Sequence, residues 1–208
     1  MQISKLKGVF MSVSITKQSI SLAFFSLLKL KPYEKITVSD VADMAGVNRM
    51  TFYYHFKDID DLVFKTIEKV FLNICKKSFS SGNCATAYRE IYLTVARHKE
   101  MAKKIYPAFD VKRLVSFLSP MAFKLASYLI EAKAGKRIPT EKKEIFVHSI
   151  GCCMVGSFIE WLNSDMEKAP GELVAGQFEL FEITINAMIP KKENPEPQIS
   201  VRGPLVKK

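Results

Sequence analysis

The stretch from Thr37 to Val63, TVSDVADMAGVNRMTFYYHFKDIDDLV, limits what this chain can fold into more than any other. Val38, Val41, Ala42 and Ala45 recur at helical spacing, and Gly46 follows where a left-handed residue would stop a short helix. Thr37 is placed to cap that helix at its start. Asn48 stands where a second short helix needs a cap, and Phe52 and Phe56 lie four apart on one face of it. Asp58 is placed to cap the helix after that, with Asp60 and Asp61 in a first turn that favours negative charge. Ahead of the segment, Ile20, Ala23, Phe24, Leu27 and Leu28 form the apolar stripe of a helix ending near Lys31, just before Pro32. Two short helices about a tight Ala45-Gly46-Val47 turn, with a third to cover them, predict a helix-turn-helix.

In that arrangement the second short helix buries one face and offers the other to the DNA major groove. Phe52 and Phe56 anchor it, which leaves Asn48, Arg49, Met50, Thr51, Tyr53, Tyr54, His55 and Lys57 toward the outside, a set unusually aromatic and polar for a surface with no partner. Tyrosine and threonine hydroxyls, a histidine and Lys57 donate to phosphate oxygens, while Arg49 reaches guanine and Met50 a thymine methyl. The first group positions and the second reads. For His55 a core or capping role is equally compatible with the residues alone.

Charge agrees with this reading. The net charge is +10, with 12 basic and 7 acidic side chains in residues 1–80, 14 and 12 in 81–190, and 5 and 2 in 191–208. A basic head beside a nearly neutral body suits binding to a polyanion, since phosphate neutralisation supplies most non-specific DNA affinity.

No stretch alternates apolar and polar residues between turn signals, so the chain is read as all-α. The expected organisation is a flexible extension over 1–13, a three-helix helix-turn-helix DNA-binding domain over 14–60, a helical effector-binding and dimerisation domain over 61–190, and a proline-rich disordered tail over 191–208. Breaks are expected near Ser80 to Asn83, Pro107, Gly135 to Pro139 and Lys168 to Gly171. Pro120 requires either a kink or a new helix capped by Ser119. Val155, Phe158, Ile159 and Leu162, with the heptad-like stripe Val174, Phe178, Phe181 and Ile185, predict a four-helix contact in a homodimer. Leu114, Leu118, Met121, Leu125 and Tyr128, with Cys152, mark a candidate effector pocket, although such a stripe is more often core.

Other classes find less support. Cysteines 75, 84, 152 and 153 have no metal or redox spacing and read as reduced, buried thiols of a cytoplasmic protein. Cys152 and Cys153 with His148 make a weak metal set, and no metal or cofactor is expected. Nine glycines and three histidines provide no phosphate loop and no pairing of nucleophile with base, so no enzyme is expected. The longest apolar run, Ile150 to Ile159, is about half the length of a spanning helix, so no membrane partner is expected. Lys5 and Lys7 before Val9, Phe10 and Met11 look like the start of a signal peptide but lack its length and cleavage site.

Thr37, Ala42, Ala45, Gly46, Val47, Thr51, Phe52, Tyr53, Phe56 and Leu62 together resemble the N-terminal motif of the TetR family of bacterial regulators. The resemblance covers about residues 14–65 and implies a dimer on double-stranded operator DNA, typically a repressor released by a small-molecule effector, with activation or a protein partner as the alternative. It implies that Thr37 and Tyr53 hold phosphates and that Arg49, Met50 and Tyr54 sit at base edges. Two positions depart from the pattern. Ile59 stands where the family commonly has a phosphate-binding lysine, a role Lys57 would take from nearby, and Met50 replaces a small residue. Trp161-Leu162 followed by Pro170-Gly171-Glu172 is similar to the C-terminal region of one subgroup.

Overall fold

A computed structural model describes residues 15–80 and 84–189. The expected N-terminal extension and the tail from 191 lie outside the described residues.

All regular structure among the described residues is helical. The head comprises α1 (Ile15–Leu30), α2 (Val38–Ala45) and α3 (Arg49–His55). The body comprises α4 (Ile59–Ser80), α5 (Cys84–Arg97), α6 (Lys99–Ile105), α7 (Val111–Ala134), α8 (Thr140–Asn163) and α9 (Pro170–Met188). The head's core is the stripe expected for α1, joined by Val41, Phe52, Phe56, Leu62 and Val63. Ile105 and Phe109 from the body also enter that cluster. A boundary at residue 60 therefore falls in the first turn of a helix that serves both cores, since Phe71 and Cys75 further along α4 belong to the body.

α7 runs unbroken through Pro120. No new helix starts there: Ser119 caps nothing and instead donates its hydroxyl hydrogen to the Val115 carbonyl at 2.7 Å. An internal proline and a serine hydroxyl bonded to the carbonyl four residues back both favour bending of a helix. α7 and α8 lie along each other and share a core through Leu125, Leu129, Ile150 and Met154. Both are long and apolar enough to cross a membrane by length and composition alone, a property that core helices of soluble proteins share. Close approach of the pair depends on Gly151, because a Cβ there would collide with the Phe123 ring. Trp161 is 1% exposed, and its indole N–H donates to the Lys168 carbonyl at 2.9 Å, tying down the link from α8 to α9.

Several sequence expectations are corrected by burial. Val155, Leu162, Val174, Phe178, Phe181 and Ile185 are buried in their own subunit, so the heptad-like stripe of α9 packs on the body and not on the surface open to a second copy. Phe158 and Ile159 are half-buried. Cys75 is buried as expected, but Cys152 and Cys153 are exposed, because the face of α8 turned to the core presents Ile150, Met154 and Val155 instead.

Candidate nucleic-acid interface

The turn between α2 and α3 is set by its own caps. Thr37 Oγ1 accepts from the Asp40 backbone N–H at 3.2 Å, and Asp40 in turn accepts from the Thr37 N–H at 2.8 Å, a reciprocal capping box. Lys31 at the end of α1 pairs with the same carboxylate at 2.6 Å. This pairing, then the Thr37 bonds, hold Asp40 well below the ordinary carboxylate range. Gly46 closes α2 at φ 68°, ψ 33°, where an L side chain is strained. Asn48 Oδ1 accepts from the Thr51 N–H at 2.7 Å and from its hydroxyl at 2.9 Å, starting α3 two residues after the turn.

With α3 so placed, Phe52 (0% exposed) and Phe56 (4%) point into the head. Met50 (76%), Tyr53 (52%) and Tyr54 (84%) point out, an exposure costly in hydration for three large side chains that touch no partner. Asn48, Met50, Thr51, Tyr53 and Tyr54 line one shallow concavity on this outer surface. Arg49 and Lys57 are exposed beside it. His55 is half-buried, and burial followed by the charge of Lys17 lowers its pKa, leaving a neutral ring with one N–H to give.

Not every residue expected at DNA is equally free to donate. The hydroxyl hydrogen of Thr37 is given to Asp40 at 2.6 Å, and that of Thr51 to Asn48, so both serve the caps first. Ile59, where a lysine was noted as missing, begins α4. Lys65 lies one turn and a half further on, held by Asp61 at 2.8 Å and over the Phe56 ring at 5.8 Å.

The expected effector pocket is found only in part. A cavity of about 200 Å³ lies between head and body, and Leu114 and Leu118 line it; Leu118 also lines a smaller one of about 100 Å³ with Met121 and Leu125. Tyr128 and Cys152 line neither: Tyr128 packs on Phe79 with ring centres 4.1 Å apart, and Cys152 faces outward near His148 Nδ1 at 3.5 Å. Sequence reading missed Phe25, Phe64, His98 and Phe158, all on the larger cavity's wall. They lie on three different helices and, for His98, in the turn between α5 and α6, and no local pattern links them.

A helical head presenting a capped, outward-facing recognition helix, joined to a larger helical body, defines a DNA-binding transcriptional regulator of the helix-turn-helix class. Residues 23–66 match the family described as bacterial regulatory proteins, tetR family, and residues 82–182 match a transcriptional regulator C-terminal region. The chain belongs to the TetR family.

Solved structures agree on the fold. The dihydroxyacetone kinase operon activator DhaS superposes with a TM-score of 0.69 at 18% identity, over 85% of this chain and 99% of that one. The fatty acid degradation regulator FadR from Bacillus halodurans gives 0.57 at 16%, over 82% and 96%. The TetR family repressor AlkX from Dietzia sp. strain DQ12-45-1b, implicated in biodegradation of n-alkanes, gives 0.55 at 18%, over 84% and 97%. No curated protein sequence matches the chain.

Proposed function

We propose that this chain is a cytoplasmic, one-component repressor that binds a palindromic operator as a homodimer and is released by a small molecule held in the cavity between head and body. The outward set of Met50, Tyr53 and Tyr54 on a helix anchored by Phe52 and Phe56 carries the DNA reading. Phosphate contacts come from Tyr53, His55 and Lys57, and base contacts from Arg49, Met50 and Tyr54, with the Asn48 amide NH2 at the helix start. Thr37 and Thr51 contribute by fixing the geometry of the turn.

Two exposed apolar stripes support the dimer. On α9, Gly176, Leu180, Ile183 and Ala187 follow at intervals of four, three and four, and on α8, Ile145, Ser149, Cys152 and Gly156 do the same. Leu180 (56% exposed), Ile183 (60%) and Ile145 (60%) are large side chains with no cover in the subunit. Such spacing is that of a helix seam. In a two-fold assembly the recognition helices would enter successive major grooves roughly 34 to 36 Å apart. Repression needs nothing beyond occupancy of a promoter, whereas activation would need a further surface for the polymerase.

The test is capture of genomic fragments by the purified full chain, followed by footprinting and a reporter fused to the bound promoter. A protected palindrome whose reporter rises on deletion of the gene supports the reading; a reporter that falls would assign activation. Leu180→Asp with Ile183→Asp should yield a monomer by light scattering and abolish the footprint.

A further inference from the structure

The larger cavity is a junction of many elements. Phe25 of α1, Phe64 of α4, Phe117 of α7 and Phe158 of α8 meet there, with Tyr106 and Phe109 from the link between α6 and α7. Six aromatic rings about one space present edges and faces suited to another ring. Its volume of about 200 Å³ can be compared with the roughly 150 Å³ apolar cavity that takes up benzene. The space fits a molecule about one fused ring larger. The smaller cavity shares Ile67, Val95, Leu118 and Phe158 with it and gives room for a short alkyl substituent.

The polar side chains on the wall are Thr66, Thr94, His98 and Tyr106. Two are already engaged: Thr66 Oγ1 is hydrogen-bonded to Ser21 Oγ at 3.1 Å, and Thr94 Oγ1 accepts from Arg97 at 2.9 Å. The other two, His98 and Tyr106, turn almost no polar atom to the cavity, whose surface is close to wholly apolar. No carboxylate, ammonium or guanidinium is among the lining residues, and an unpaired charge brought into such surroundings loses its hydration without return. Cationic guests meet a second obstacle. Lys29, Arg97, Lys99 and Lys104, against the single carboxylate of Glu100, line the adjoining polar cleft, which shares His98 and Met101 with the cavity. Burial, then Arg97 and Lys29, lower the pKa of His98, which disfavours a cation on this wall.

From this lining we infer that the cavity takes an uncharged, largely apolar aromatic molecule of about two fused rings. The inference rests on the reading of the cavity as the effector site and adds the chemistry of the effector.

The experiment uses the full chain and three matched probes: 1-naphthol, 1-naphthoate and 1-naphthylmethylammonium, titrated by calorimetry without DNA. The alcohol should bind one site per chain, and both ions at least tenfold more weakly. Ala102→Phe places a ring in the same space and should abolish naphthol binding. Should that variant fail to fold, Leu118→Ala enlarges both cavities and should shift the preference from 1-naphthol to the three-ring 9-anthracenemethanol. Absence of naphthol binding, equal binding of either ion, or unchanged naphthol affinity in a folded Ala102→Phe chain would overturn the inference. Operator affinity is measured separately by anisotropy, so loss of DNA binding with naphthol binding intact would count against the regulator reading alone.

Discussion

Phe52 and Tyr54 sit two residues apart on a helix of seven and do opposite jobs. Phe52 is fully buried among α1 and α2 residues, so Phe52→Ala should remove about 3 to 5 kcal/mol of stability, read as a fall in denaturation midpoint. Tyr54 at 84% exposure meets only the edge of the adjacent His55 ring, 4.9 Å between centres, and no core residue. Tyr54→Ala should leave the midpoint unchanged and weaken operator binding by about ten- to a hundredfold, the value of one good base contact. A shared stability loss in both variants would mean that Tyr54 is packed in solution. Lys57 has an exposed side chain while its backbone N–H is fixed by Asp61 at 2.8 Å. Lys57→Ala should therefore weaken binding to every sequence alike and reduce the slope of log K against log salt by about one; an unaltered slope would remove it from the contacts. These positions were legible in the sequence because their causes are local. A cap, a left-handed glycine and two phenylalanines four apart act over a few residues, and Thr37, Gly46, Asn48 and Asp58 all take the roles their spacing predicts.

At the level of elements, legibility fails where a pattern has two possible partners. The stripe Val174, Phe178, Phe181 and Ile185 is apolar at heptad spacing, and periodicity says that it is covered without saying by what. The body covers it: Phe178 and Phe181 both approach Tyr88 of α5, with ring centres 6.3 Å away. The second, exposed stripe through Leu180 and Ile183 is masked in sequence by Glu179 and Glu182 between its members. The pairing of α7 with α8 gives a sharper test. Gly151 is buried against Phe123, whose ring stacks on His148 at 5.0 Å. A methyl group at 151 forces that ring aside or the helices apart, so Gly151→Ala should destabilise by about 1 to 3 kcal/mol although alanine is the better helix former. Gly156→Ala, with nothing near its added Cβ, is the control and should be neutral or stabilising in the monomer. Equal midpoints for the two variants would show that α7 and α8 are less closely packed than described.

For the molecule as a whole, the proposed effector site between head and body would have to act on a helix in the head. Asp60, in the first turn of α4, accepts from the Tyr33 hydroxyl and pairs with Arg113 of α7 at 2.6 Å. Tyr33 is buried in the head, and its pKa is raised by that burial and then by Asp60. The Arg113 guanidinium also lies over Phe64 and Phe109, at 5.2 and 5.0 Å, and both rings line the cavity. None of this could be read from spacing, since residues 33, 60, 64, 109 and 113 converge only in the fold. Under the proposed function, a guest that displaced those rings would move the guanidinium, and with it the carboxylate that holds the link between α1 and α2. Because Arg113 and Asp60 are partly exposed, the pair adds about 1 kcal/mol or less to stability. Arg113→Ala should thus fold and bind both operator and 1-naphthol nearly as before. Coupling is a different quantity: the ratio of operator affinities without and with naphthol, which in the unaltered protein should exceed about fivefold. In Arg113→Ala that ratio should fall toward one, measured by anisotropy at saturating naphthol. An undiminished ratio would place the path elsewhere, most directly in Phe25, which joins α1 to the cavity without crossing Asp60.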